Sequence, residues 1–370
     1  MAEPDRPVLL AVFGAGASHG CLPFEPSATA HVLPPSSSHV GATQYAQARP
    51  PLTQELLRPG DYAAAILGRY QAALPVADAV QRRMEAGEDS RTISLERALG
   101  EYQELTAVDR QTNRHLAAFR FYLRDLLWAC SELMRSPSIG GGRTNHVALV
   151  RNLHTWASSR NAHVCLTSFN YDFILESACT AVWGFDPHDL NHHCSYGPVS
   201  LLKPHGSVLW EQLIHNHEAV HANSRAQQAI ELMTQNPELT PIVPLPTSPF
   251  SDYTRPPGVP ALALPVDGKS VLVWPDEQEQ QFGRLQGRVS KLLIVGWRAV
   301  DQHFVGLMDR LASGAKAVIV TGGPEADREA EAIRERLWGV VLDNTTKVVL
   351  VTTEFTGFLH SDRLAWLLAD

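Results

Sequence analysis

Paired cysteines are absent from this chain of 370 residues. The five cysteines are odd in number and scattered, and no two of them form a Cys-x-x-Cys pair. This usage predicts a reducing compartment and excludes a disulfide framework and a zinc ribbon. Two histidine groups, His192-His193-Cys194 and His215-Asn216-His217, have spacings that match no common zinc site, so we expect no metal.

Long apolar runs and an excess of basic charge are also missing. No stretch approaches the roughly 20 apolar residues of a membrane span, and the polar N-terminus makes a poor signal peptide. We therefore expect a soluble, cytoplasmic protein with no membrane partner. The net charge of −8 argues against broad nucleic-acid binding, and we expect no direct sequence-specific contact with nucleic acid. A Gly-x-Ser-x-Gly elbow is missing too, which sets aside a serine hydrolase of that type.

The most informative stretch present is an apolar run over residues 8–13 that stops at Gly14-Ala15-Gly16-Ala17-Ser18. It predicts a buried strand of a parallel sheet followed by a tight turn. In a doubly wound sheet, a nucleotide pyrophosphate lies at this end of the first strand. The third glycine of the dinucleotide fingerprint is displaced, since Gly20 comes one residue late and His19 holds the required position. A tight turn after a core strand, without a ligand, explains the run equally well.

The remaining pattern predicts an α/β fold, in which a Rossmann-like parallel sheet carries helices on both faces. We expect one domain over residues 1–370, with a loop or lid inserted at 19–60 and a helical subdomain inserted at about 61–157. Residues 212–270 are rich in proline and predict irregular structure with one helix near 224–235. Further strands are predicted at 163–168, 200–202, 292–296, 317–321 and 347–351.

Polar residues follow several of these strands. Asn170 and Asp172 come after the second strand, His205 follows the third, and Gly296 ends a later one. Because the carboxyl ends of parallel strands meet along one edge, we expect these residues to converge on one crevice.

Four stretches stand out, in the order Gly14-Ala15-Gly16-Ala17-Ser18, Thr167–Glu176, Lys203-Pro204-His205-Gly206-Ser207 and Leu293–Phe304. In this order they resemble the sirtuin-like fold, and within it the bacterial NAD-hydrolysing branch used in antiphage defence. The first looks like the phosphate loop of that family, and the second like its Thr-x-Asn-Tyr-Asp segment with one extra residue before Asn170. The third is similar to its His-Gly turn, and the fourth to its late Gly-Tyr-Ser-x-x-Asp segment.

The resemblance implies that NAD is the substrate and that Asn170, Asp172 and His205 are catalytic. An amide can hydrogen-bond a ribose hydroxyl or the attacking water, and a histidine is a natural base near neutral pH. Asp172 would orient the loop or stabilise the developing cation. The implied cofactor-binding residues are Gly14, Ala15, Gly16, Ser18, Gly296, Arg298 and Gly322.

Simpler roles stay open for the same residues. Asn-x-Asp after a strand is typical of a turn that caps the next helix, and His205 is compatible with a plain turn. Arg298 stands where the family has serine, and either holds a phosphate or points to solvent. Gly322 either contacts the adenosine ribose or turns the chain, and Asp301 is expected to cap a helix.

Two departures from the family pattern bear on function. The Gly-x-Pro after the phosphate loop is either compressed to Cys21-Leu22-Pro23 or displaced to Pro50-Pro51-Leu52. The zinc module of protein-deacetylating sirtuins, with its two cysteine pairs, is missing. That absence favours NAD cleavage without a peptide acceptor.

The sequence therefore predicts an NAD glycohydrolase that releases nicotinamide and ADP-ribose, as a gated effector of antiphage defence. Two alternatives remain: a non-catalytic regulatory subunit that binds NAD or ADP-ribose, and an ADP-ribosyl transferase. Gating is expected from homo-oligomerisation or from a sensor subunit, for which the resemblance suggests a HerA-type ATPase, an Argonaute-like protein or a nucleotide-signal sensor.

Overall fold

The structure is a computed structural model, and the chain divides into two compact units. The first unit comprises Met1–Glu25, Leu133–Pro204 and Trp274–Asp370, and the second comprises Pro26–Glu132 and His205–Val273. The described residues are 6–22, 31–32, 43–44, 49–57, 61–85, 95–104, 109–135, 143–215, 220, 222–245, 255–265 and 272–370.

A six-stranded parallel sheet forms the centre of the first unit. In spatial order its strands are β12 (Lys347–Val351), β11 (Lys316–Val320), β10 (Val289–Val295), β1 (Val8–Phe13), β4 (His163–Ser168) and β5 (Val199–Leu202). Every residue of β1 and of β4 is buried, as expected for central strands of a parallel sheet. The predicted strand at residues 8–13 is therefore confirmed.

Helices cover both faces of this sheet. They are α1 (Ala15–His19), α6 (Asn145–Arg160), α7 (Ile174–Trp183), α8 (Leu190–Cys194), α10 (Asp276–Gln286), α11 (Gln302–Leu307), α12 (Ala326–Leu337), α13 (Glu354–His360) and α14 (Asp362–Leu368). Leu9, Ala11 and Phe13 join a core with α6, α7 and α13. Leu10 and Val12 point to the opposite face and are equally buried. The predicted α/β fold with a Rossmann-like sheet is confirmed.

The strand order reverses direction at β1. From β1 the sheet continues through β4 to β5 on one side, and the later strands β10, β11 and β12 lie on the other. A switch point of this kind opens a crevice outside the carboxyl ends of the adjacent strands, where ligands of open α/β sheets bind. The topology therefore places a candidate site beyond Phe13 and Val295, the last residues of β1 and β10.

The second unit combines helices with a small antiparallel sheet. Its elements are β2 (His31–Val32), β3 (Thr43–Gln44), α2 (Asp61–Arg69), α3 (Leu74–Glu85), α4 (Leu95–Glu104), most of α5 (Arg110–Arg135), β6 (Gly206–His215), α9 (Arg225–Leu232), β7 (Glu238–Leu239), β8 (Val243–Pro244) and β9 (Gly258–Leu262). Strand β6 pairs antiparallel with β7, β8 and β9. The helix predicted near 224–235 is present, but the prediction that 212–270 is irregular missed these strands.

The buried carboxylate of Glu211 contacts two arginines of the proline-rich segment 212–270. Glu211 on β6 is almost fully buried and pairs with Arg225 at 2.8 Å and with Arg255 at 3.1 Å. A buried charge is tolerated when it is paired and hydrogen-bonded. The pairs tie the proline-rich segment to β6 through contacts distant in sequence.

The structure describes the two predicted insertions to different extents. Most of the predicted lid at 19–60 lies outside the described residues, and a 3₁₀ helix spans Thr53–Glu55 within it. The described residues of 61–157 are helical apart from 70, 109, 143 and 144, and α6 belongs to the first unit. The organisation as one domain with these two insertions stays a prediction.

Two findings concern only the described ranges. None of their helices combines the length and the apolar character needed to cross a membrane. Nor do they bring three or more His, Cys, Asp or Glu side chains together as a metal site would require.

Candidate functional site

The glycines that follow β1 lie directly against the loop that follows β10. The Gly14 amide donates to the Val295 carbonyl at 3.0 Å, and the Gly16 amide donates to the Gly296 carbonyl at 3.4 Å. A Cβ on Gly14 would collide with that Gly296 carbonyl oxygen, and a Cβ on Gly296, where φ is +61°, would lie 2.5 Å from the Ala17 nitrogen. These glycines are therefore required for two backbones to approach each other at the switch point.

Asn170 connects the loop after β4 to this glycine loop. Its side-chain nitrogen donates to the Gly14 carbonyl at 2.8 Å and to the Ser18 hydroxyl at 2.7 Å. Asn170 and Ser18 are both buried. The structure thus brings Asn170 to a segment more than 150 positions earlier in the sequence, and the Asn170 amide nitrogen is engaged by the protein itself.

Asp172 binds the first amide of the helix that follows it. Its Oδ1 accepts a hydrogen bond from the Ile174 amide at 3.1 Å, at the start of α7. Its backbone carbonyl accepts a second bond from the Lys203 ammonium at 2.6 Å. Phe173 is the N-cap residue, so Asp172 contributes from the loop one residue before the cap.

A fully buried ion pair lies beneath this loop, and the sequence analysis did not single it out. Lys203 Nζ lies 2.9 Å from Glu176 Oε1, and neither side chain is exposed. The backbone amide of Lys203 donates to Gln278 Oε1 at 2.9 Å. Burial raises the pKa of Glu176, and Lys203 opposes that shift. Two features of the sequence could have indicated this pair: Lys203 stands at the end of an apolar strand, and Glu176 lies inside an apolar helix.

His146 is a second buried group that the sequence analysis missed. Its ring lies 5.8 Å from the ring of Phe13 and 5.3 Å from that of Phe355. Burial lowers the pKa of His146 to about 4, with a smaller upward effect of Asp172 and a smaller downward effect of Lys203. The imidazole is therefore neutral at neutral pH.

Aromatic rings join the loops on either side of β1. Phe169 stacks on Trp297 with ring centroids 5.0 Å apart and planes 9° apart, and Phe304 meets both rings edge-on. The Phe169 amide also donates to the Phe13 carbonyl at 2.9 Å. Phe169 immediately precedes Asn170, so the stack holds the loop from which Asn170 projects.

Arg298 contacts a helix in this structure. Its Nε lies 2.9 Å from a carboxylate oxygen of Glu329 on α12, and more than half of its side chain is exposed. Its carbonyl accepts a hydrogen bond from Arg336 at 2.7 Å. Asp301 accepts from the Phe304 amide at 2.9 Å, which confirms the predicted helix cap.

Gly322 follows β11 and makes room for the side chain of Glu354, the first residue of α13. A Cβ on Gly322 would lie 2.5 Å from Cγ of Glu354. Glu354 has a φ of +62°, and its amide donates to the Thr321 carbonyl at 3.0 Å. Glu354 was not among the site residues predicted from the sequence.

His205 is the first residue of the second unit. Its carbonyl accepts a hydrogen bond from the Ala263 amide at 2.9 Å, and the side chain is partly buried. Gly206 follows with a φ of +84°, and a Cβ there would overlap the Ala261 carbonyl. The predicted His-Gly turn is thus a tight turn that leads into β6.

The predicted site residues of the first unit follow the carboxyl ends of its strands. One group is in direct contact and consists of Gly14, Gly16, Ser18, Asn170 and Gly296. Ala15 begins α1 within the same loop, and Asp172 lies in the Asn170 loop. Arg298 and Gly322 lie after β10 and β11. Their roles, and that of His205, stay predictions.

Two histidines of α8, His192 and His193, form hydrogen bonds with backbone groups. His193 is buried with its two ring nitrogens each 3.1 Å from a carbonyl oxygen, one of Leu201 and one of Pro187. Nδ1 of His192 accepts from the Asp186 amide at 3.1 Å. These contacts give both histidines a structural role.

Comparison with protein-family models finds no match for this chain, and no curated protein matches it. Among solved structures it is similar to one from a study of the structural basis of sirtuin substrate affinity, at 13% identity and a TM-score of 0.38, covering 96% of this chain and 92% of the other.

Two further solved structures show similar values. A Sir2 homolog in complex with NAD has 12% identity and a TM-score of 0.31, with 98% of this chain and 91% of the other covered. Sir2 in complex with the inhibitor EX-527, 2'-O-acetyl-ADP-ribose and deacetylated p53 peptide has 12% identity and a TM-score of 0.29, with 61% and 72% covered. The α/β fold assignment rests on the strand order and register of the sheet itself.

Proposed function

We propose that the protein is an NAD glycohydrolase that cleaves NAD to nicotinamide and ADP-ribose. The observation that carries the proposal is the double hydrogen bond from Asn170 to Gly14 and Ser18. It joins the Asn170 loop to the glycine loop at the switch point of the sheet, where open α/β sheets bind nucleotides. The resemblance of these segments to the sirtuin-like NAD hydrolases supplies the identity of the nucleotide.

The reaction needs little acid catalysis. The bond between the ribose anomeric carbon and the nicotinamide nitrogen breaks, and its electron pair goes to the cationic ring, which leaves neutral. The oxygen of a water then bonds to the anomeric carbon, and a base takes the water's proton. Ordinary glycoside hydrolysis instead needs a carboxylic acid to protonate the leaving oxygen.

Each proposed residue has one role in this scheme. The turn from the glycine loop into α1 holds the pyrophosphate through backbone amides other than those of Gly14, Gly16 and Ala17, which donate to carbonyls of the protein itself. The amide oxygen of Asn170 accepts a hydrogen bond from a ribose hydroxyl or from the attacking water. This oxygen takes part in neither of the two hydrogen bonds that the Asn170 amide nitrogen donates to Gly14 and Ser18. His205 is the proposed base, and a positioned base contributes about 100- to 10,000-fold. Asp172 holds the loop in place.

Unrestrained NAD loss would harm the cell that makes this protein, so the activity requires gating. We propose self-assembly or a sensor subunit, such as a HerA-type ATPase or an Argonaute-like protein, as the gate in antiphage defence. This part rests on the sequence resemblance alone.

The direct test follows nicotinamide release from NAD by the purified protein, alone and with the products of neighbouring genes. His205→Ala and Asn170→Ala are expected to reduce the rate at least about 100-fold, whereas His360→Ala, at an exposed position on α13, should leave it unchanged. Absence of release under every condition, or full activity of His205→Ala, would contradict the proposal.

One observation favours a second candidate. The Asn170 amide nitrogen and the Arg298 guanidinium both bind the protein itself in this structure. A site of this kind also suits a regulatory subunit that binds NAD or ADP-ribose without cleaving it. Tight binding without nicotinamide release would select this alternative, and labelled ADP-ribose appearing on a macromolecule would identify a transferase.

A further inference from the structure

The two edges of the six-stranded sheet differ in how their outer backbone groups are bonded. Strand β5 forms one edge and β12 forms the other. An edge strand presents a row of amides and carbonyls that attracts a further strand, unless the protein covers that row or disrupts it. The partners of these groups therefore indicate whether the sheet ends at a given edge or is continued by another chain.

The β5 edge is covered by the chain itself. Val199 and Leu201 direct their backbone groups away from β4, because the intervening residues of β5 face it. The amide and the carbonyl of Val199 both bond to the backbone of Tyr196, at 3.2 and 2.8 Å. The Leu201 carbonyl lies 3.1 Å from Nδ1 of His193. All of β5 is buried, so the sheet ends here.

The β12 edge has no comparable cover among the described residues. Lys347 and Val351 form backbone bonds to the residues that flank β11, at 2.8 and 2.9 Å, so they face that strand. Val348 and Leu350 alternate with them and direct their amides and carbonyls outward. Within the described ranges no hydrogen bond reaches these outward groups.

Strand β12 also lacks the features that commonly protect an open edge. Proline, inward-pointing charge and bulges prevent pairing, whereas residues 348–352 contain neither proline nor charge and the register with β11 is continuous. Val348, Val349 and Leu350 are partly exposed, although every residue of β1 in the same sheet is buried. A further strand would bond the outward backbone groups and cover apolar side chains on both faces of the sheet.

The charges at the two ends of β12 indicate which strand fits. Lys347 is the first residue of the strand, and Glu354 follows shortly after its end, with no charge between them. Both side chains are exposed. An antiparallel copy of the same segment brings each lysine to the end where the glutamate of the other copy lies, whereas a parallel copy brings lysine to lysine. A two-fold axis, the commonest symmetry of homodimers, produces the antiparallel arrangement.

We infer that β12 pairs antiparallel with β12 of a second copy of this chain, so that the two parallel sheets join into one continuous sheet. With the two-fold axis at Leu350, the two copies of this residue exchange their outward backbone bonds, and Val348 of each copy pairs with Thr352 of the other. The inference goes beyond the proposed function and does not depend on it, because the interface involves none of the proposed catalytic residues.

The test is sedimentation equilibrium of the full chain over a range of concentrations, without NAD. We expect a monomer–dimer equilibrium. Leu350→Pro removes an amide that points to the second copy and keeps the bonds to β11, so it should weaken the dimer at least about 100-fold. Leu350→Lys places like charges opposite each other and should weaken it at least about tenfold. Val300→Lys adds the same charge at an exposed valine after β10 and should leave the dimer intact.

A charge exchange tests the antiparallel direction. Lys347→Glu should weaken the dimer about threefold to tenfold, because it places two acidic side chains together at each end of the interface. Adding Glu354→Lys to the same chain restores opposite charges and should return the affinity to that of the native protein.

The melting temperature of each variant separates loss of the interface from loss of the fold. Weaker dimerisation of the Leu350 variants with an unchanged Tm supports the inference, and Leu350→Lys decides if Leu350→Pro by itself lowers Tm. A monomer at every concentration, a dimer that survives both Leu350 variants, or a charge exchange that fails to restore affinity would overturn it. Nicotinamide release judges the hydrolase proposal separately in each case.

Discussion

The side-chain nitrogen of Asn170 lies 2.7 Å from the hydroxyl oxygen of Ser18 and 2.8 Å from the carbonyl oxygen of Gly14. One amide thus joins the end of β4 to the end of β1. All three groups are removed from water, so the two bonds provide the buried Asn170 amide with acceptors and the Ser18 hydroxyl with a donor. The Gly14 carbonyl also accepts from the Ala17 amide at 2.9 Å.

We expect Asn170→Ala to lower the free energy of unfolding by about 1–3 kcal/mol, because the variant removes two buried hydrogen bonds and leaves the Ser18 hydroxyl without the amide that donates to it. Ser18→Ala should cost less, since the bond to Gly14 remains. Urea unfolding of the two single variants and the double variant measures the coupling. Strictly additive losses would show that the Asn170–Ser18 bond does not contribute.

The second prediction concerns the buried pair of Lys203 and Glu176. Lys203→Met or Glu176→Leu alone should cost about 3–5 kcal/mol, because each leaves an unbalanced group in a dry interior. The variant with both substitutions should cost less than the sum of the two single losses. Denaturant midpoints at constant m-value provide the measurement. A double variant that loses the full sum would contradict the pairing, and Arg328→Met, in an exposed pair with Glu325, is the near-neutral control.

The third prediction is a pH dependence of stability that arises from His146. Burial lowers its pKa to about 4, against an ordinary value of 6.5. Above pH 6.5 the histidine is neutral in both states and its contribution is complete. As the pH falls from 6.5 toward 4 only the unfolded chain gains the proton, so about 3 kcal/mol of stability is lost.

His146→Phe removes this contribution and keeps an aromatic ring between Phe13 and Phe355. We expect its unfolding free energy to fall less steeply than that of the native protein between pH 6.5 and 4. A residual slope should remain, because burial also lowers the pKa of His193 to about 4. Parallel curves for variant and native protein would refute the assignment to His146.

The fourth prediction compares two glycines. Gly296→Ala should cost more than about 2 kcal/mol, because φ is +61° and the new Cβ would lie 2.5 Å from the Ala17 nitrogen. Gly283→Ala, on an exposed face of α10 with open space around it, should be neutral or stabilise by up to about 1 kcal/mol. Thermal unfolding distinguishes the two, and equal effects would remove the close approach of the loops as the cause.

The sequence was sufficient where a pattern reflects local burial or capping. The strands β1 and β4 were predicted at their observed bounds, 8–13 and 163–168, because central parallel strands are apolar along their length. The cap at Asp301 was also read correctly, since its partner is three residues away. Strand β6 was missed because its pairing with β9 joins residues about 50 positions apart in a proline-rich region.

The candidate site divides in the same way. The positions of Gly14, Asn170, Gly296 and Gly322 after their strands follow from the sequence, since strand ends in a parallel sheet share one edge. Only the tertiary structure shows that Asn170 binds Ser18, that Lys203 meets Glu176 in a dry interior, and that Gly322 accommodates a strained Glu354. Each of these is a contact between segments distant in sequence, and such contacts leave no periodic signal because packing, and not local propensity, determines them.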